Sequence, residues 1–409
     1  MAPRLSPTQL LLPACALGVG LWAACGTQPA EPEAMRFYRG NTHTHTLWSD
    51  GDASPDWVTA WYREQDFDFL VLSEHNIVAD HERWFAVGDG RLTPDRLADL
   101  QAKFGAEAVE LRDTAEGGQE MRLPTLEELR ARFEAPDEFI MITGEEVTDG
   151  FEGKNVHINA LNTVSVIDPQ HGTTLDETIE RNLEAIALHG VEHDRAVLAH
   201  LNHPNFTWSM TPEDLAAVPA LRSFEVYNGH PSVNNRGDEN HPSTEAMWDF
   251  VNHAAVRDGH ALVLGIATDD AHHYHDIRLG KSNPGRGWIQ VAASELQPDA
   301  ILAAVEAGEF YGSSGVELHS FARDSESYHV QVLAEEGVSY RIQFFGARVG
   351  EQPAMLEEVV GTEASYALTE QDLFVRAKVV SDRAHPNPAE EGETECAWLQ
   401  PVTGPAASR

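Results

Sequence analysis

The sequence predicts an α/β barrel with one convergent site, and three observations point to this fold class. Short apolar runs with β character recur along the chain, and each run ends beside a residue that can bind a metal. Segments with helix start signals lie between these runs. The chain has 409 residues, of which 42% are hydrophobic and 23% charged, which is typical of a folded chain with room for a barrel and an appendage.

The predicted strands are short and end next to histidine or carboxylate side chains. They cover residues 67–73 before His75, 139–143 before Glu146, 196–199 before His200 and His203, and 261–268 before Asp270. The carboxyl ends of parallel strands meet at one face of an α/β barrel, so we expect these side chains to converge there.

Helix start signals lie between the strands. Ser54-Pro55, Thr125 with Glu128, and Thr211-Pro212 with Asp214 each predict a helix amino terminus. A further helix from about Leu175 places Ile179, Leu183 and Ile186 on one stripe, as packing against a sheet requires.

From residue 36 onward the chain divides into a predicted barrel with an insertion, a small β domain and a tail. Residues 36–318 form the predicted barrel, with an insertion at about 77–138 that is either a lid or an ordinary pair of barrel helices. Alternating strands predict a small β domain over residues 319–400, followed by a tail at 401–409.

The amino terminus has the pattern of a targeting segment. Arg4 precedes an apolar run that is too short to span a bilayer and ends at Cys25. Residues 1–25 resemble a bacterial lipoprotein signal, with plain secretory cleavage as the alternative, and 26–35 form a linker. We therefore expect export to the cell envelope or periplasm, with membrane contact only through a lipid anchor at Cys25. Cys396 would then remain as the one other cysteine, so no intramolecular disulfide is expected.

The charge balance restricts the choice of partner. The chain has 28 Lys and Arg against 66 Asp and Glu, a formal net charge of −38. Such a surface repels polyphosphate backbones. The predicted partner is a small molecule and not a long nucleic acid, while the oligomeric state stays open.

A series of short motifs brings potential metal ligands together. His43 and His45 are two residues apart, so on an extended strand both imidazoles point to the same side. The ordered motifs are HTHTLWSDG from residue 43, LSEHN from 72, GEEVT from 144, VHINALN from 156, AHLNHPN from 199 and TDDAHH from 268.

This series resembles the PHP (polymerase and histidinol phosphatase) superfamily of metal-dependent phosphoesterases, and most closely its carbaryl-hydrolase-like branch. The resemblance covers about residues 36–320, with further likeness at EVYNG from Glu225 and at residues 310–315. It implies a distorted (β/α)7-type barrel that binds two to three divalent ions, zinc, manganese or iron.

The resemblance also implies a ligand set. The first metal would take His43, His45, Glu146 and Asp270, and Glu146 would bridge to a second metal held by His157 and His203. A third metal would take Asp50, His75 and His272. His200 competes with His203, and Glu145 competes with Glu146.

These residue types suit hydrolysis by metal-bound hydroxide, with Glu146 and Asp270 at its centre, because a bound divalent ion lowers the pKa of its water to about 7. Lys281 and Arg286 could neutralise a phosphate, with a surface loop as the alternative. Glu74, Asp269 and His273 could orient ligating imidazoles.

The predicted function is a metal-dependent hydrolase of a small phosphoester. Three alternatives stay open: a carbamate or carboxylic-ester hydrolase that uses the same site, a 5′–3′ exonuclease-like or nucleotide phosphatase activity, and a surface protein that binds metal or carbohydrate without turnover.

Overall fold

The computed structural model describes residues 36–408, which form mixed α/β structure. The predicted signal, anchor and linker at residues 1–35 lie outside the described residues. No helix within residues 36–408 is long and apolar enough to cross a bilayer.

Residues 36–408 contain nineteen strands and seven α-helices, which are numbered here in chain order. The strands before the last third of the chain are β1 Tyr38–Asn41, β2 Phe69–Leu72, β3 Arg83–Ala86, β4 Leu111–Asp113, β5 Gln119–Leu123, β6 Ile140–Phe151, β7 Lys154–Leu161, β8 Leu198–Leu201, β9 Ser223–Asn228 and β10 Leu264–Thr268. The remaining strands are β11 Trp288–Val291, β12 Phe310–Ser313, β13 Leu318–Arg323, β14 Ser327–Val332, β15 Tyr340–Arg348, β16 Ala354–Val360, β17 Glu363–Ala367, β18 Asp372–Ala384 and β19 Thr394–Thr403. The helices are α1 Pro55–Glu64, α2 Pro94–Phe104, α3 Leu126–Phe133, α4 Leu175–Glu192, α5 Pro212–Ala216, α6 Thr244–Asp258 and α7 Pro298–Glu306.

One large sheet replaces the closed barrel that the sequence predicts. Its thirteen strands follow the order β10-β9-β8-β7-β6-β2-β1-β11-β12-β19-β18-β15-β16. β1 pairs with β2 on one edge and with β11 on the other, so no free edge of β1 is left for a ladder with β10. The chain near β1 and the chain near β10 approach each other only beyond the carboxyl ends of these two strands. There Asp270 N donates to His43 O and His45 N donates to Ala271 O, each at 3.0 Å.

The helix starts predicted from the sequence are confirmed. Ser54 accepts from Trp57 N at the start of α1, and Thr125 and Thr211 form capping boxes at the starts of α3 and α5. These caps satisfy backbone donors that have no partner inside the helix. The stripe of α4 is buried at Leu175, Ile179, Leu183 and Ile186 and packs on the core beneath the sheet.

The insertion is more than a pair of helices. Besides α2 and α3 it contains a three-stranded sheet of order β3-β5-β4, which the sequence analysis missed. Buried side chains such as Met121 and Leu129 share a hydrophobic core with Trp48 and Tyr62. The insertion also contacts the loop after β1, because Arg96 donates to Asp52 O and Oδ2 at 3.1 and 3.0 Å.

Strands of the carboxyl-terminal region continue the large sheet through the β12–β19 pair. A separate small β domain over residues 319–400 stays a prediction. A second small sheet has the order β13-β14-β17. The predicted tail at 401–409 is wrong in its first part, because β19 runs to Thr403 and a 3-10 turn follows at Pro405–Ser408. The pairing of β19 with β18 supplies the backbone partners that hold these residues in a strand.

Candidate metal centre

The segment after β1 brings two imidazoles to the centre of the molecule. His43 and His45 are completely buried, and the Nε2 atom of each is without a hydrogen-bond partner. Each Nε2 instead lies near carboxylate oxygens: His43 Nε2 is 3.4 Å from Glu146 Oε1, and His45 Nε2 is 3.5 Å from Glu146 Oε2. The two histidines therefore each face one oxygen of the same carboxylate.

Glu146 is the common neighbour of the cluster. It lies on β6, is fully buried, and has Oε2 without a hydrogen-bond partner. Its oxygens lie 3.0 Å from His157 Nδ1, 2.8 Å from His75 Nδ1 and 3.4 Å from His203 Nε2. Asn202 Nδ2 donates to Oε1 at 2.8 Å, which fixes the carboxylate between the histidines.

Asp270 closes the group on the other side. Its Oδ1 lies 3.3 Å from His43 Nε2 and 3.4 Å from His45 Nε2. Asp270 and His203 both have positive φ, 49° and 26°, a region that side chains with a Cβ rarely adopt. Such strain concentrates where a site fixes its own geometry.

A third group lies at the solvent-facing side. Asp50 Oδ1 is 3.2 Å from His272 Nε2, and Asp50 Oδ2 is 3.5 Å from His75 Nε2. The Asp50 side chain is 52% exposed and that of His75 is 28% exposed. The cluster is thus open to solvent here, while its centre is closed.

All nine predicted ligands come together in the structure. Four sets of their atoms lie within 4.8 Å of one another: His45, Asp50, His75 and His272; His43, His45 and Asp270; His43, Glu146 and His203; and His75, Glu146 and His157. These clustered groups could bind divalent metal ions.

The residues fit metal ions better than they fit one another. The Nε2 atoms of His43 and His45 lie 3.3 to 3.5 Å from carboxylate oxygens but form no hydrogen bonds with them. Buried polar atoms are normally hydrogen-bonded, because leaving them unpaired costs free energy. Two ligands that each lie 2.0–2.1 Å from one tetrahedral ion are separated by about 3.4 Å. The distances of 3.3 to 3.5 Å between the histidine nitrogens and the carboxylate oxygens match this separation between two ligands of one ion.

Neighbouring side chains orient the imidazoles. Glu225 on β9 accepts from His43 Nδ1 at 2.7 Å, and the hydroxyl of Ser49 lies 3.2 Å from His45 Nδ1 and donates to Glu74. Such partners leave Nε2 free to bind a cation. Glu74 is thus linked to His45 through Ser49, and its predicted orienting role stays a prediction. Glu225 was not among the predicted site residues, although the EVYNG likeness marked its position.

The charges of the cluster are interdependent. Burial opposes the charge on Glu146, yet His157, His43 and His75 hold the pKa of Glu146 well below its usual range. Burial likewise opposes the charge on His43, yet Asp270 and Glu225 raise its pKa well above the ordinary value. Burial lowers the pKa of His45 to about 3. The Glu146 carboxylate is therefore ionised, the state in which it binds cations.

The two alternatives left open by the sequence differ clearly in position. His200 Nε2 contacts Thr42 Oγ1 at 3.1 Å and is in none of the four sets, whereas His203 is in one. Glu145 turns away from the cluster and accepts from Ile167 N at 2.7 Å. The geometry thus favours His203 and Glu146.

The expected phosphate-neutralising role of Arg286 does not fit the structure. Arg286 is completely buried, and its guanidinium donates to the carbonyls of Gly229 at 2.8 Å and Asn387 at 3.1 Å, and also to that of Lys281. These bonds hold loops together and leave the guanidinium enclosed. The role of Lys281, on the same loop, stays a prediction.

Two of the predicted orienting residues serve the loops. Asp269 accepts from Tyr62 Oη and from the backbone N–H groups of residues 285, 286 and 287 at 2.6 to 2.8 Å. His273 Nδ1 contacts Ser282 Oγ at 3.1 Å. Both therefore fix the segment after β10 and contact none of the nine clustered side chains through these bonds.

Comparisons with known proteins give remote structural likeness. No family model and no curated protein matches the chain. A two-domain protein from Bacteroides vulgatus ATCC 8482, containing a PHP-like metal-dependent phosphoesterase by prediction, is 14% identical over 90% of this chain and 97% of its own, with a TM-score of 0.40.

Two further solved structures are similar over a smaller part of the chain. One, assigned as a metal-dependent phosphoesterase from Bifidobacterium adolescentis ATCC 15703, is 13% identical over 59% of this chain and 89% of its own, with a TM-score of 0.29. The other, an amidohydrolase from Chromobacterium violaceum with bound sulfate and no metal, is 16% identical over 58% and 88%, with a TM-score of 0.27. At these identities and TM-scores the likeness does not assign a function to this chain.

Proposed function

We propose that this chain is a metal-dependent hydrolase of the PHP type that cleaves a small phosphoester. The observation that carries the proposal is the cluster of nine histidine and carboxylate side chains, whose ligand atoms lie close enough together to share metal ions. Three of these atoms, His43 Nε2, His45 Nε2 and Glu146 Oε2, are buried without a hydrogen-bond partner. The motif series of the sequence supports the same function.

Each group of side chains has a place in the proposed centre. His43, His45 and Asp270 would hold one cation, and Glu146 would bridge it to a second held by His157 and His203. Asp50, His75 and His272 would hold a third. A divalent cation in such a site acidifies a water molecule and polarises an ester oxygen.

The side chains around the proposed centre hold the ligands in fixed orientations and leave one side of the cluster open to solvent. Glu146 cannot rotate freely, because Asn202 donates to it and imidazoles surround it. Glu225 keeps the proton of His43 on Nδ1, so Nε2 stays available. Substrate would approach past Asp50, the most exposed member of the cluster.

The local charge favours a small anionic substrate. Three divalent cations against Asp50, Glu146, Asp270 and Glu225 leave a formal excess of two positive charges, opposite in sign to the net charge of the chain. A small phosphate therefore meets attraction at the centre, whereas a polyanion also meets repulsion from the surrounding surface.

Elemental analysis followed by a substrate panel tests the proposed function. Protein from its native compartment should contain two to three equivalents of divalent metal, and the reloaded protein should hydrolyse aryl phosphates faster than aryl carbamates, carboxylic esters or single-stranded DNA. Metal at stoichiometry with no phosphoester cleavage would contradict the phosphoester assignment. Faster cleavage of carbamates would favour the ester or carbamate alternative.

Export and lipid anchoring at Cys25 are part of the proposal and concern residues outside the described range. Metabolic labelling with a tagged fatty acid tests them. Label on the wild type that Cys25→Ser abolishes supports the anchor, and unlabelled wild-type protein contradicts it.

A further inference from the structure

His230 lies beside the metal cluster without belonging to it. It follows β9 at the end of the EVYNG stretch, and its ring centroid lies 5.5 Å from that of His272 and 5.9 Å from that of Phe206. The side chain is half-buried, and none of the four sets of potential ligands contains it. His230 thus borders the part of the cluster that opens to solvent.

Two backbone groups give His230 and His272 opposite tautomers. The carbonyl of Asp270 lies 2.9 Å from His272 Nδ1, and a carbonyl can only accept, so the proton of His272 is on Nδ1 and Nε2 is free to bind a cation. The N–H of Ser232 donates to His230 Nδ1 at 3.1 Å. Since that Nδ1 accepts, the proton of the neutral His230 ring is on Nε2.

This tautomer gives His230 a different function from its neighbour. A nitrogen that carries a proton cannot bind a cation, so the neutral His230 ring, next to His272, offers Nε2–H as a hydrogen-bond donor. Such a donor suits an oxygen on which negative charge develops during ester hydrolysis.

The loop that carries His230 is held firmly. His230 N donates to Asn228 Oδ1 at 2.8 Å, and Asn228 Nδ2 donates to Glu225 Oε2 at 2.8 Å and to Asp270 Oδ2 at 3.2 Å. Gly229 is in close contact with the buried Arg286, which donates to its carbonyl. The backbone of His230 is therefore connected through Asn228 to two carboxylates of the site.

We propose that His230 is a catalytic residue whose Nε2–H donates a hydrogen bond to a non-bridging oxygen of the phosphoryl group. The inference rests on the proposed function for its substrate. It assigns a specific side chain to the role that the enclosed Arg286 cannot fill.

Three variants test this assignment: His230→Ala, His230→Gln, which keeps an N–H donor, and His241→Ala as the control. His241 lies on the same loop but stacks on Trp208 at 4.0 Å and pairs with Asp238. Metal content, binding of inorganic phosphate to the metal-loaded protein by calorimetry, and hydrolysis of an aryl phosphate are measured for each variant.

We expect His230→Ala to keep the wild-type metal content, to bind inorganic phosphate about 10-fold more weakly, and to lose about 100-fold in kcat, the usual effect of removing one such donor. His230→Gln should recover part of both losses, and His241→Ala should behave as the wild type. If His230→Ala does not fold, His230→Gln still reports the change in phosphate affinity and kcat.

Loss of metal in the His230 variants would overturn the assignment, because it would make His230 a ligand. Wild-type phosphate binding and turnover in His230→Ala would overturn it too. A wild-type protein that binds metal and phosphate but cleaves no phosphoester contradicts the proposed function only, and the phosphate affinities of the variants still decide the role of His230. Metal-loaded wild type that binds no phosphate contradicts the inference.

Discussion

Among the single residues, Glu225 contacts predicted ligands without being one of them. It is completely buried and accepts from His43 Nδ1, His203 N, Asn228 Nδ2 and Thr268 Oγ1. Burial opposes its charge, yet His43 keeps the pKa of Glu225 below the usual value. An ionised Glu225 therefore orients two histidines of the cluster at once.

We expect Glu225→Ala to weaken metal binding by about 10-fold to 100-fold, the usual range for partners of ligating histidines. Competition with a chromogenic chelator measures the affinity. Glu225→Gln, which retains an acceptor oxygen of similar shape, should lose less. Unchanged affinity in Glu225→Ala would show that His43 does not depend on this carboxylate.

Glu146 permits a prediction about stoichiometry. It is the one carboxylate shared by two of the four ligand sets, so Glu146→Gln should lower the bound metal by at least one equivalent and reduce hydrolysis about 100-fold or more. Glu145→Gln is the matched control, because Glu145 is adjacent in sequence but faces Ile167. Full metal content in Glu146→Gln, measured by elemental analysis, would contradict the bridging role.

Individual elements show where local signals in the sequence are sufficient and where they are not. The starts of α1, α3 and α5 follow from caps within three residues, and these were predicted. The sheet of β3, β4 and β5 was not, because its strands are only three to five residues long and their pairing depends on distant contacts.

The insertion should contribute stability and not metal binding. Leu129 is completely buried in the core that α3 shares with Trp48, so Leu129→Ala should lower the free energy of unfolding by about 2–5 kcal/mol. Urea titration measures it, and metal content per folded molecule should not change. Leu188→Ala is the control, since Leu188 is 52% exposed. A loss below about 1 kcal/mol would indicate that the insertion is loosely attached.

The contact between α6 and β18 gives a prediction about acid stability. Burial would raise the pKa of Glu245, but Lys378 at 2.5 Å and Arg376 lower it from 4.5 to about 2. Because the folded pKa lies below the unfolded one, the stabilisation by ionised Glu245 is complete above about pH 4.5 and is lost as the pH falls towards 2.

Glu245→Gln should therefore be less stable than the wild type at pH 7, and the difference should shrink between pH 4.5 and pH 2. Unfolding free energies by urea titration at several pH values measure this difference, with exposed Glu357→Gln as the control. If the difference in unfolding free energy between the wild type and Glu245→Gln is the same at every pH, the ion pair of Glu245 is not its cause.

For the whole molecule, the sequence was a better guide to which side chains lie together than to the sheet that positions them. Seven of the nine clustered residues follow the ends of β1, β2, β8 and β10, whereas Glu146 and His157 lie within the antiparallel pair of β6 and β7. The convergence of the seven follows from the pattern of strand ends along the chain. Barrel closure depends instead on whether both edges of β1 are already paired, and the antiparallel partner β11 lies about 250 residues away along the chain. The role predicted for Arg286 failed for a related reason. Its burial results from contacts with Gly229 and Asn387, which the local sequence does not reveal.

The metal centre itself is tested most directly by a crystal structure of the metal-loaded protein, with anomalous data collected above and below the absorption edge of the bound element. We predict anomalous peaks between His43 Nε2, His45 Nε2 and Asp270 Oδ1, and between Glu146 and His203. A loaded protein whose peaks all lie outside the nine clustered side chains would contradict the account.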